Sequence, residues 1–316
     1  GSLQTSKHSA RRAASWATLS RAHCPIEKIG PVTFPGLLQQ AAKLRPPNPF
    51  DPMSFMSAYL VLGGSAVLLA GLLIFGAGKR PTILTPGRDD SPPVFWERVS
   101  LHCIIYAVWG VCFGLVFLRG LPAGAWDAHF FFERNWPVIE PAEWLYSSVY
   151  WVPLIVPWVA TNRGALRRYA LGLWLLLAVS LAAFLLLPII SPPRPFIPTS
   201  LAGRLLAFDT SRGDFAAAAC PSFHTLWAML CADFFASLGR GWAWAGWLWA
   251  LAVAASCVAT GAHALLDVVV SLILYPLLIS RHSPIWRWYY ARADRLFSKK
   301  PASNPPMTPI ANPPKP

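Results

Sequence analysis

Two histidines and an aspartate in the last third of the chain have the types and spacing of a catalytic group. His263 and Asp267 are four residues apart, so on a helix they would share one face, one turn apart. A carboxylate there can accept the Nδ1–H of the imidazole, which fixes the tautomer and leaves Nε2 as a nucleophile or base. His224 is a second imidazole that could act as a general acid.

Two groups that could bind an anion accompany these side chains. Arg194 follows two prolines, and its planar guanidinium matches the oxygens of a phosphate. Ser222 could open a helix together with the backbone N–H groups around it, and helix N-termini attract anions. The whole set is suited to phosphoryl transfer through a phosphohistidine. Ionisable groups at the edges of apolar runs are also functional candidates by default.

The order of these residues resembles the membrane-bound phosphatidic acid phosphatase superfamily, which is related to the vanadium haloperoxidases. That family carries K-x6-R-P, then P-S-G-H, then S-R-x5-H-x3-D. The residues that match, motif by motif, are Arg194–Pro195, then Pro221, Ser222 and His224, then Ser256, His263 and Asp267. The resemblance covers roughly residues 97–280.

The resemblance implies a role for each matching residue. His263 would be the nucleophile, Asp267 would orient it, and His224 would protonate the leaving group. Arg194 and Ser222 would hold the phosphate, with Phe223 beside them in the second motif. No metal and no other cofactor is implied, because cationic side chains and N–H groups can neutralise the charge.

Three positions depart from the family pattern. Leu187 stands where the lysine of the first motif is expected, Cys257 replaces the arginine of the third, and Phe223 replaces the glycine of the second. The phosphate pocket is therefore two cations short. Arg204 and Arg212, in the same loop as Arg194, are hypothesised to supply the missing charge.

The first motif also resembles a second branch of enzymes. Sphingolipid head-group synthases, including inositol phosphorylceramide synthase-like proteins, share the H-x3-D ending and have P-P-R in place of K-x6-R-P. The segment Pro192–Pro193–Arg194 is similar. A head-group transferase therefore stands beside a phosphatase as an interpretation.

The composition places these motifs in a membrane protein, because 55% of the 316 residues are hydrophobic and only 13% are charged. Seven apolar runs approach the ~20 residues needed to cross a bilayer, and in lipid such runs must be helical. The runs are about 54–77, 97–118, 144–161, 168–190, 222–238, 242–260 and 263–280. We predict an all-α, polytopic transmembrane bundle of about seven helices with a six-helix phosphatase-like core.

The chain divides into four segments by composition. Residues 1–50 are predicted to be a flexible basic tail, and 51–96 an extra transmembrane helix with a cytoplasmic loop. Residues 97–280 would form the phosphatidic-acid-phosphatase-like membrane domain. Residues 281–316 are basic and then proline-rich.

The distribution of Lys and Arg predicts the orientation. The loops at 78–96 and 162–167 and the tail after residue 280 are basic and lie on one side of a seven-helix bundle, so that side should be cytoplasmic. The three motifs then face the exterior, which in a bacterial inner membrane is the periplasm. The basic N-terminal tail breaks this pattern.

The loop at 119–143 is rich in Trp and acidic residues. It is interpreted as a surface loop anchored by aromatic side chains, or as a lid over a lipid head group. His129 in this loop could join the site, although a lone histidine in such a loop is usually unrelated to catalysis.

The sequence therefore predicts an integral membrane lipid phosphatase or head-group phosphotransferase. Its substrate would be a lipid phosphate or phospholipid reached from the bilayer. No nucleic-acid partner is expected, and the oligomeric state stays open. One alternative is a non-catalytic protein of the same fold that binds or transports a lipid phosphate. Another is a serine hydrolase that uses Ser222, although the sequence around Ser222 lacks the G-x-S-x-G elbow of such enzymes.

Overall fold

The computed structural model describes residues 84, 89–210 and 216–297, all within the unit of residues 52–316. The predicted tail at 1–50, the predicted span at 54–77, Arg212 and the segment after 297 lie outside the described residues. The helices are α1 (Phe95–Arg119), α2 (Glu143–Val159), α3 (Arg163–Leu186), α4 (Leu201–Thr210), α5 (Phe223–Ala236), α6 (Arg240–Ala259), α7 (Leu265–Ile279) and α8 (Pro284–Phe297). Two short strands, β1 (Trp126–Asp127) and β2 (Ile189–Ile190), pair in parallel, and a 3-10 helix covers Glu140–Ala142.

The helical class is confirmed, but a count of seven membrane-spanning helices is not. Among the described residues, α1, α3 and α6 are long and apolar enough to cross a membrane, and α7 with α8 could form a fourth span bent by 52°. Helices α2 and α5 have 17 and 14 residues. At about 1.5 Å per residue they are shorter than the ~30 Å hydrocarbon core.

Helix α5 is the centre of the bundle. Every residue of α5 except Asp233 and Ala236 is buried, and the helix packs against α2, α3, α6 and α7. Helix α6 approaches it most closely at Gly246, where a Cβ atom would lie 3.1 Å from the Cα of Ala232. Helix α5 is therefore enclosed by four other helices.

The predicted loop at 162–167 is wrong, because α3 begins at Arg163. Asn162 caps the helix by accepting a hydrogen bond from the Ala165 N–H at 2.8 Å. The arginines of the first turns are paired, Arg163 with Glu97 at 2.9 Å and Arg167 with Asp89 at 2.5 Å. Because these arginines are paired, they are accommodated in the first turns of α3, although the apolar run in the sequence begins only at residue 168.

The bundle has two chemically different ends. The motif end contains β1, β2, the first residues of α2, α5 and α7, and the last residues of α3 and α6. The arginine end contains the first residues of α1, α3, α6 and α8, and there Arg168 of α3 lies 3.8 Å from Asp233 of α5. All the sequence motifs therefore lie at one end and most of the basic helix termini lie at the other.

Candidate active site

Three of the predicted site residues are in direct contact at the motif end. The Nδ1 atom of His224 lies 3.2 Å from Nε2 of His263, and Nδ1 of His263 lies 3.4 Å from Oδ2 of Asp267. The exposed fractions of the three residues are 7%, 2% and 0%. The two imidazoles and the carboxylate therefore form one buried line of polar contacts.

His263 and Asp267 meet in a different way from the one that their spacing predicts. Helix α7 begins at Leu265, so His263 lies in the preceding turn and the two residues do not share a helix face. Asp267 is in the first turn of α7, and its Oδ2 accepts a hydrogen bond from the Ala264 N–H at 3.0 Å. The carboxylate thus caps the helix start and reaches the imidazole beside it.

A serine that the motif comparison did not assign also binds this carboxylate. The hydroxyl of Ser191 donates to Asp267 Oδ2 at 2.6 Å. Ser191 follows β2 directly and is 1% exposed. With the Ala264 N–H, it gives Asp267 two donors besides His263, and these donors fix the position of the carboxylate.

Two tyrosines of α2, also unassigned by the motifs, surround His224. The Tyr150 hydroxyl lies 2.9 Å from His224 Nε2. The Tyr146 ring stacks on the His224 ring with centroids 4.3 Å apart. Tyr146 and Tyr150 are four residues apart in an apolar helix, and this spacing of polar groups was the one signal in the sequence that could have identified them.

Arg194 lies between β2 and α4, and it packs against the turn between α6 and α7. Its Nη1 donates to the Trp136 carbonyl at 3.0 Å, and its Nη2 donates to the carbonyl of Val258. Its backbone N–H donates to Gly261 at 3.0 Å, and a Cβ at Gly261 would come within 2.7 Å of the Arg194 Nε. Gly261, with φ of +71°, therefore admits the guanidinium two residues from His263.

The charge of Arg194 is largely removed from solvent. Burial lowers the pKa of the guanidinium, and the nearby charge of Glu133 opposes this shift. No hydrogen bond from Arg194 Nε to another of the described residues is found. The side chain therefore ties three backbone segments together around the motif end, and Nε is the guanidinium nitrogen that makes no hydrogen bond in this tie.

Ser222 and Phe223 are placed by the start of α5. Ser222 is the N-cap, and its hydroxyl oxygen accepts hydrogen bonds from the N–H and the hydroxyl of Thr225 at 3.4 and 3.2 Å. The Ser222 N–H donates to the Asp267 carbonyl at 3.2 Å, which links α5 to α7. Phe223 is buried and contacts the rings of Phe113 and Trp227.

The remaining predicted cations are not part of this cluster. Arg204 is exposed on α4, and none of the hydrogen bonds found among the described residues involves its side chain. Arg212 lies outside the described residues. Leu187 follows the last residue of α3 and is 45% exposed, and Cys257 is buried against the hydroxyls of Ser222 and Thr225. The positions that depart from the family pattern thus carry no positive charge to the histidines.

The loop between α1 and α2 is tied to the motif end at several points. Buried Glu133 accepts hydrogen bonds from the N–H of Phe130 at 2.6 Å and from the N–H of Leu265, the first residue of α7, at 2.8 Å. The Ile139 N–H donates to the Ala259 carbonyl at 2.9 Å. His129 pairs with Asp127 at 2.8 Å and is absent from the contacts of His224 and His263. The loop therefore covers the start of α7 without placing its histidine in the cluster.

The described residues contain no group of three or more His, Cys, Asp or Glu side chains arranged to hold a metal ion.

The thiol of Cys220 lies near the cluster, and burial together with the charge of Asp267 raises the pKa of this thiol to about 12. Cys220 is therefore neutral at physiological pH.

Comparison with known proteins identifies the family of the chain. A search of curated proteins and a search of solved structures give no significant match. The family model described as the PAP2 superfamily matches residues 118–280, which include the motif end from β1 to α7 and are slightly more than half of the 316 residues. The chain belongs to the PAP2 superfamily, whose members are generally phosphatases or phosphotransferases.

Proposed function

We propose that this protein is an integral membrane lipid phosphatase or lipid head-group phosphotransferase that works through a phosphohistidine on His263. The observation that carries this proposal is the buried line of contacts from His224 through His263 to Asp267. Superfamily membership supports the reaction class, and the long apolar helices support a substrate held in a bilayer.

The partners of Asp267 support the role of nucleophile for His263. The Ser191 hydroxyl and the Ala264 N–H hold Asp267 Oδ2 beside His263, where it can accept a hydrogen bond from the Nδ1–H of the imidazole. The lone pair of the neutral imidazole then lies on Nε2, the atom that points to His224. A phosphoryl group that parts the two imidazoles would meet the lone pair on one side and an N–H on the other.

The proposed reaction has two steps. In its charged form His224 donates the Nδ1 proton to the leaving lipid oxygen, while the P–O bond breaks and a P–N bond forms at His263 Nε2. In the second step Nδ1 of His224 takes a proton from water, or from an alcohol in a transferase. The oxygen attacks phosphorus, the P–N bond breaks and His263 is regenerated.

Binding of the phosphate requires positive charge or N–H donors near His263. We assign this role to the Nε–H of Arg194, with Arg204 and Arg212 as hypothesised further cations. The backbone around Ser222 and Phe223 would complete the pocket. The active site would face the exterior, in a bacterial cell the periplasm, because the opposite end carries most of the arginines.

One observation favours a second candidate, a protein of the same fold that binds or transports a lipid phosphate without turnover. The Nη atoms of Arg194 already donate to backbone carbonyls, so the guanidinium has a structural role without substrate. In that case His263 would be dispensable for binding.

The two candidates are separated by assaying purified protein with a panel of lipid phosphates and phosphodiesters, with and without alcohol acceptors, in the presence of a chelator. We expect a free or transferred phosphoryl group for at least one lipid, detected by mass spectrometry, and loss of this product in His263→Ala. Binding of lipid phosphate without any product, unchanged in His263→Ala, would establish the non-catalytic candidate.

A further inference from the structure

The structure contains a polar group next to His224 that the family motifs do not include. The Tyr150 hydroxyl lies 2.9 Å from Nε2, the nitrogen of His224 on the side away from His263. We propose that Tyr150 is a positioning residue that reserves Nδ1 of His224 for proton transfer. This inference rests on the proposed function and concerns how its general acid is oriented.

The argument depends on the two nitrogens of one ring. Nδ1 of His224 faces His263, and Nε2 faces Tyr150. A phenolic hydroxyl can both donate and accept. It can donate to Nε2 in the resting pair, and it can accept from the Nε2–H once the ring is charged. In both states the hydrogen bond holds Nε2, so Nδ1 is the atom that gives or takes a proton at the phosphoryl group.

The surroundings restrict the ring to this orientation. Tyr146 stacks on one face of His224, and the Tyr150 ring meets it edge-on with centroids 5.4 Å apart. The backbone carbonyl of Tyr150 accepts a long hydrogen bond from the Tyr106 hydroxyl of α1, at 3.5 Å. The Tyr106 hydroxyl thus bonds to the backbone of Tyr150, and the Tyr150 hydroxyl is the one that touches His224.

The test uses leaving groups of different acidity. A lipid phosphate monoester has an alkoxide leaving group that needs a proton, whereas the phenolate of 4-nitrophenyl phosphate departs without one. In Tyr150→Phe we expect kcat/KM for the lipid phosphate to fall about tenfold or more, a part of the ~100-fold or larger value of general acid catalysis. The kcat/KM for 4-nitrophenyl phosphate should stay within about twofold of wild type, because its leaving group needs no proton. The ratio kcat/KM reports only the steps up to P–O cleavage, so later hydrolysis of the phosphohistidine does not affect it.

Tyr106→Phe is the matched control, since it removes a hydroxyl that donates to the backbone of Tyr150 and makes no hydrogen bond to His224. Equal losses for both substrates in Tyr150→Phe, or no loss for either, would overturn the inference. A wild-type protein that turns over neither substrate, or a His263→Ala variant as active as wild type, would instead overturn the proposed function.

A second inference comes independently from the arginine end. A cavity of about 600 Å³ opens there between the start of α3, the end of α5 and helix α8. Its lining includes Arg168, Arg281, Arg287, Trp286 and Tyr290. We infer that this cavity binds the phosphate of an anionic phospholipid from the leaflet opposite the active site.

The charges of the cavity are only partly compensated. Arg168 lies 3.8 Å from Asp233, with its guanidinium 5.8 Å over the Trp286 ring. Arg281 and Arg287 are exposed, and neither forms a salt bridge with another of the described residues. Arg281 and Arg287 therefore present donors that match phosphate oxygens, and the lining carries three guanidinium groups but one carboxylate, Asp294.

Helix α8 also has the character of a helix at a membrane surface. It departs from α7 at 52° and buries Trp286 and Ala293 against the bundle, while its arginines are exposed. A basic amphipathic helix with aromatic residues is typical of the lipid head-group region. This position places the cavity beside lipid head groups, which favours a phospholipid over a free anion.

The test measures lipid binding by native mass spectrometry, in a His263→Ala background so that no lipid is consumed. Phosphatidylglycerol should bind, and in Arg281→Gln/Arg287→Gln its affinity should fall about fivefold for each arginine removed. Arg240→Gln, an exposed arginine of the same end that does not line the cavity, is the control and should bind as before. Equal binding of phosphatidylcholine, competition by inorganic phosphate at the lipid's own concentration, or an unchanged double variant would overturn the inference.

Discussion

The two ends of the bundle hold their charges in different ways. At the motif end, Asp267 is fully buried and receives hydrogen bonds from a serine and a backbone N–H, and His263 lies against it. At the arginine end, Asp233 is part-exposed and meets Arg168 at 3.8 Å. A fully buried, oriented carboxylate can orient an imidazole, whereas a part-exposed ion pair contributes little even to stability.

The largest difference between the ends should appear when each aspartate is changed to asparagine. Asp267→Asn removes the negative charge and introduces an NH2 donor that can stabilise the wrong tautomer of His263, so activity should fall by about 100- to 10,000-fold. Asp233→Asn should leave kcat/KM within about twofold, since exposed pairs contribute little. Phosphate release from the best lipid substrate measures both. Comparable losses in the two variants would mean that the carboxylates do not differ in role.

Replacement of Arg167 should show whether the arginine end contributes to stability or to the reaction. Arg167 is 3% exposed in its side chain and contacts Asp89 at 2.5 Å, Tyr290 at 3.3 Å and Asp294 at 3.7 Å. Asp89 is 45% exposed, which weakens the pair through solvent screening. Arg167→Ala should therefore destabilise the protein by about 1–3 kcal/mol, somewhat less than the loss of a fully buried pair.

The readout for Arg167→Ala is thermal unfolding in detergent together with activity at a temperature where both proteins are folded. We expect a lower Tm and an unchanged kcat/KM. A loss of kcat/KM in fully folded protein would indicate that this end takes part in the reaction. Arg240→Ala, which removes an exposed arginine of the same end, should change neither quantity.

Two glycines provide a smaller test of how tightly each end is built. Gly261 has a positive φ and a Cβ there would lie 2.7 Å from Arg194 Nε, so Gly261→Ala should cost about 1–2 kcal/mol from the backbone alone and should lower activity by displacing the arginine. Gly241→Ala, in the first turn of α6, meets no atom within 4 Å and should be neutral or slightly stabilising. Unfolding temperatures and phosphate release check both. An active, stable Gly261→Ala would show that the turn tolerates a side chain.

The smallest effect concerns Glu140, which joins the loop before α2 to the start of α4. Hydrogen bonds from Ser200, and then from Thr199, lower the pKa of its carboxyl below the ordinary value of 4.5. Because the folded-state pKa is the lower one, the contribution to stability is present above 4.5 and is lost as the pH falls through the folded-state pKa. The Tm difference between wild type and Glu140→Gln should therefore be small at pH 7 and disappear in acid. A difference that grows in acid would contradict this sign.

The contacts of the candidate site that the sequence could predict are those that belong to recognisable motifs. His224, His263 and Asp267 were identified by residue order and spacing, and they are in contact. The geometry between the last two was predicted less well. An i, i+4 spacing suggests a shared helix face, but the helix begins two residues after His263 because Asp267 caps it.

The supporting groups could not be predicted because they come from distant parts of the chain. Tyr150 is 74 residues from His224, Ser191 is 76 residues from Asp267, and Glu133 is 132 residues from Leu265. Helix boundaries failed for a similar reason. The arginines at the start of α3 suggested a loop, since their partners Glu97 and Asp89 lie more than 60 residues earlier.

The central claim is that His263 carries the phosphoryl group, and trapping of the intermediate tests it most directly. Wild-type protein mixed with a lipid phosphate labelled with radioactive phosphorus and quenched in alkali should retain label that is stable to base and released by acid, as a phosphohistidine is. The account predicts that His263→Ala retains no label, whereas Arg240→Ala retains as much as wild type. Equal labelling of His263→Ala, or label that is lost in base, would contradict it.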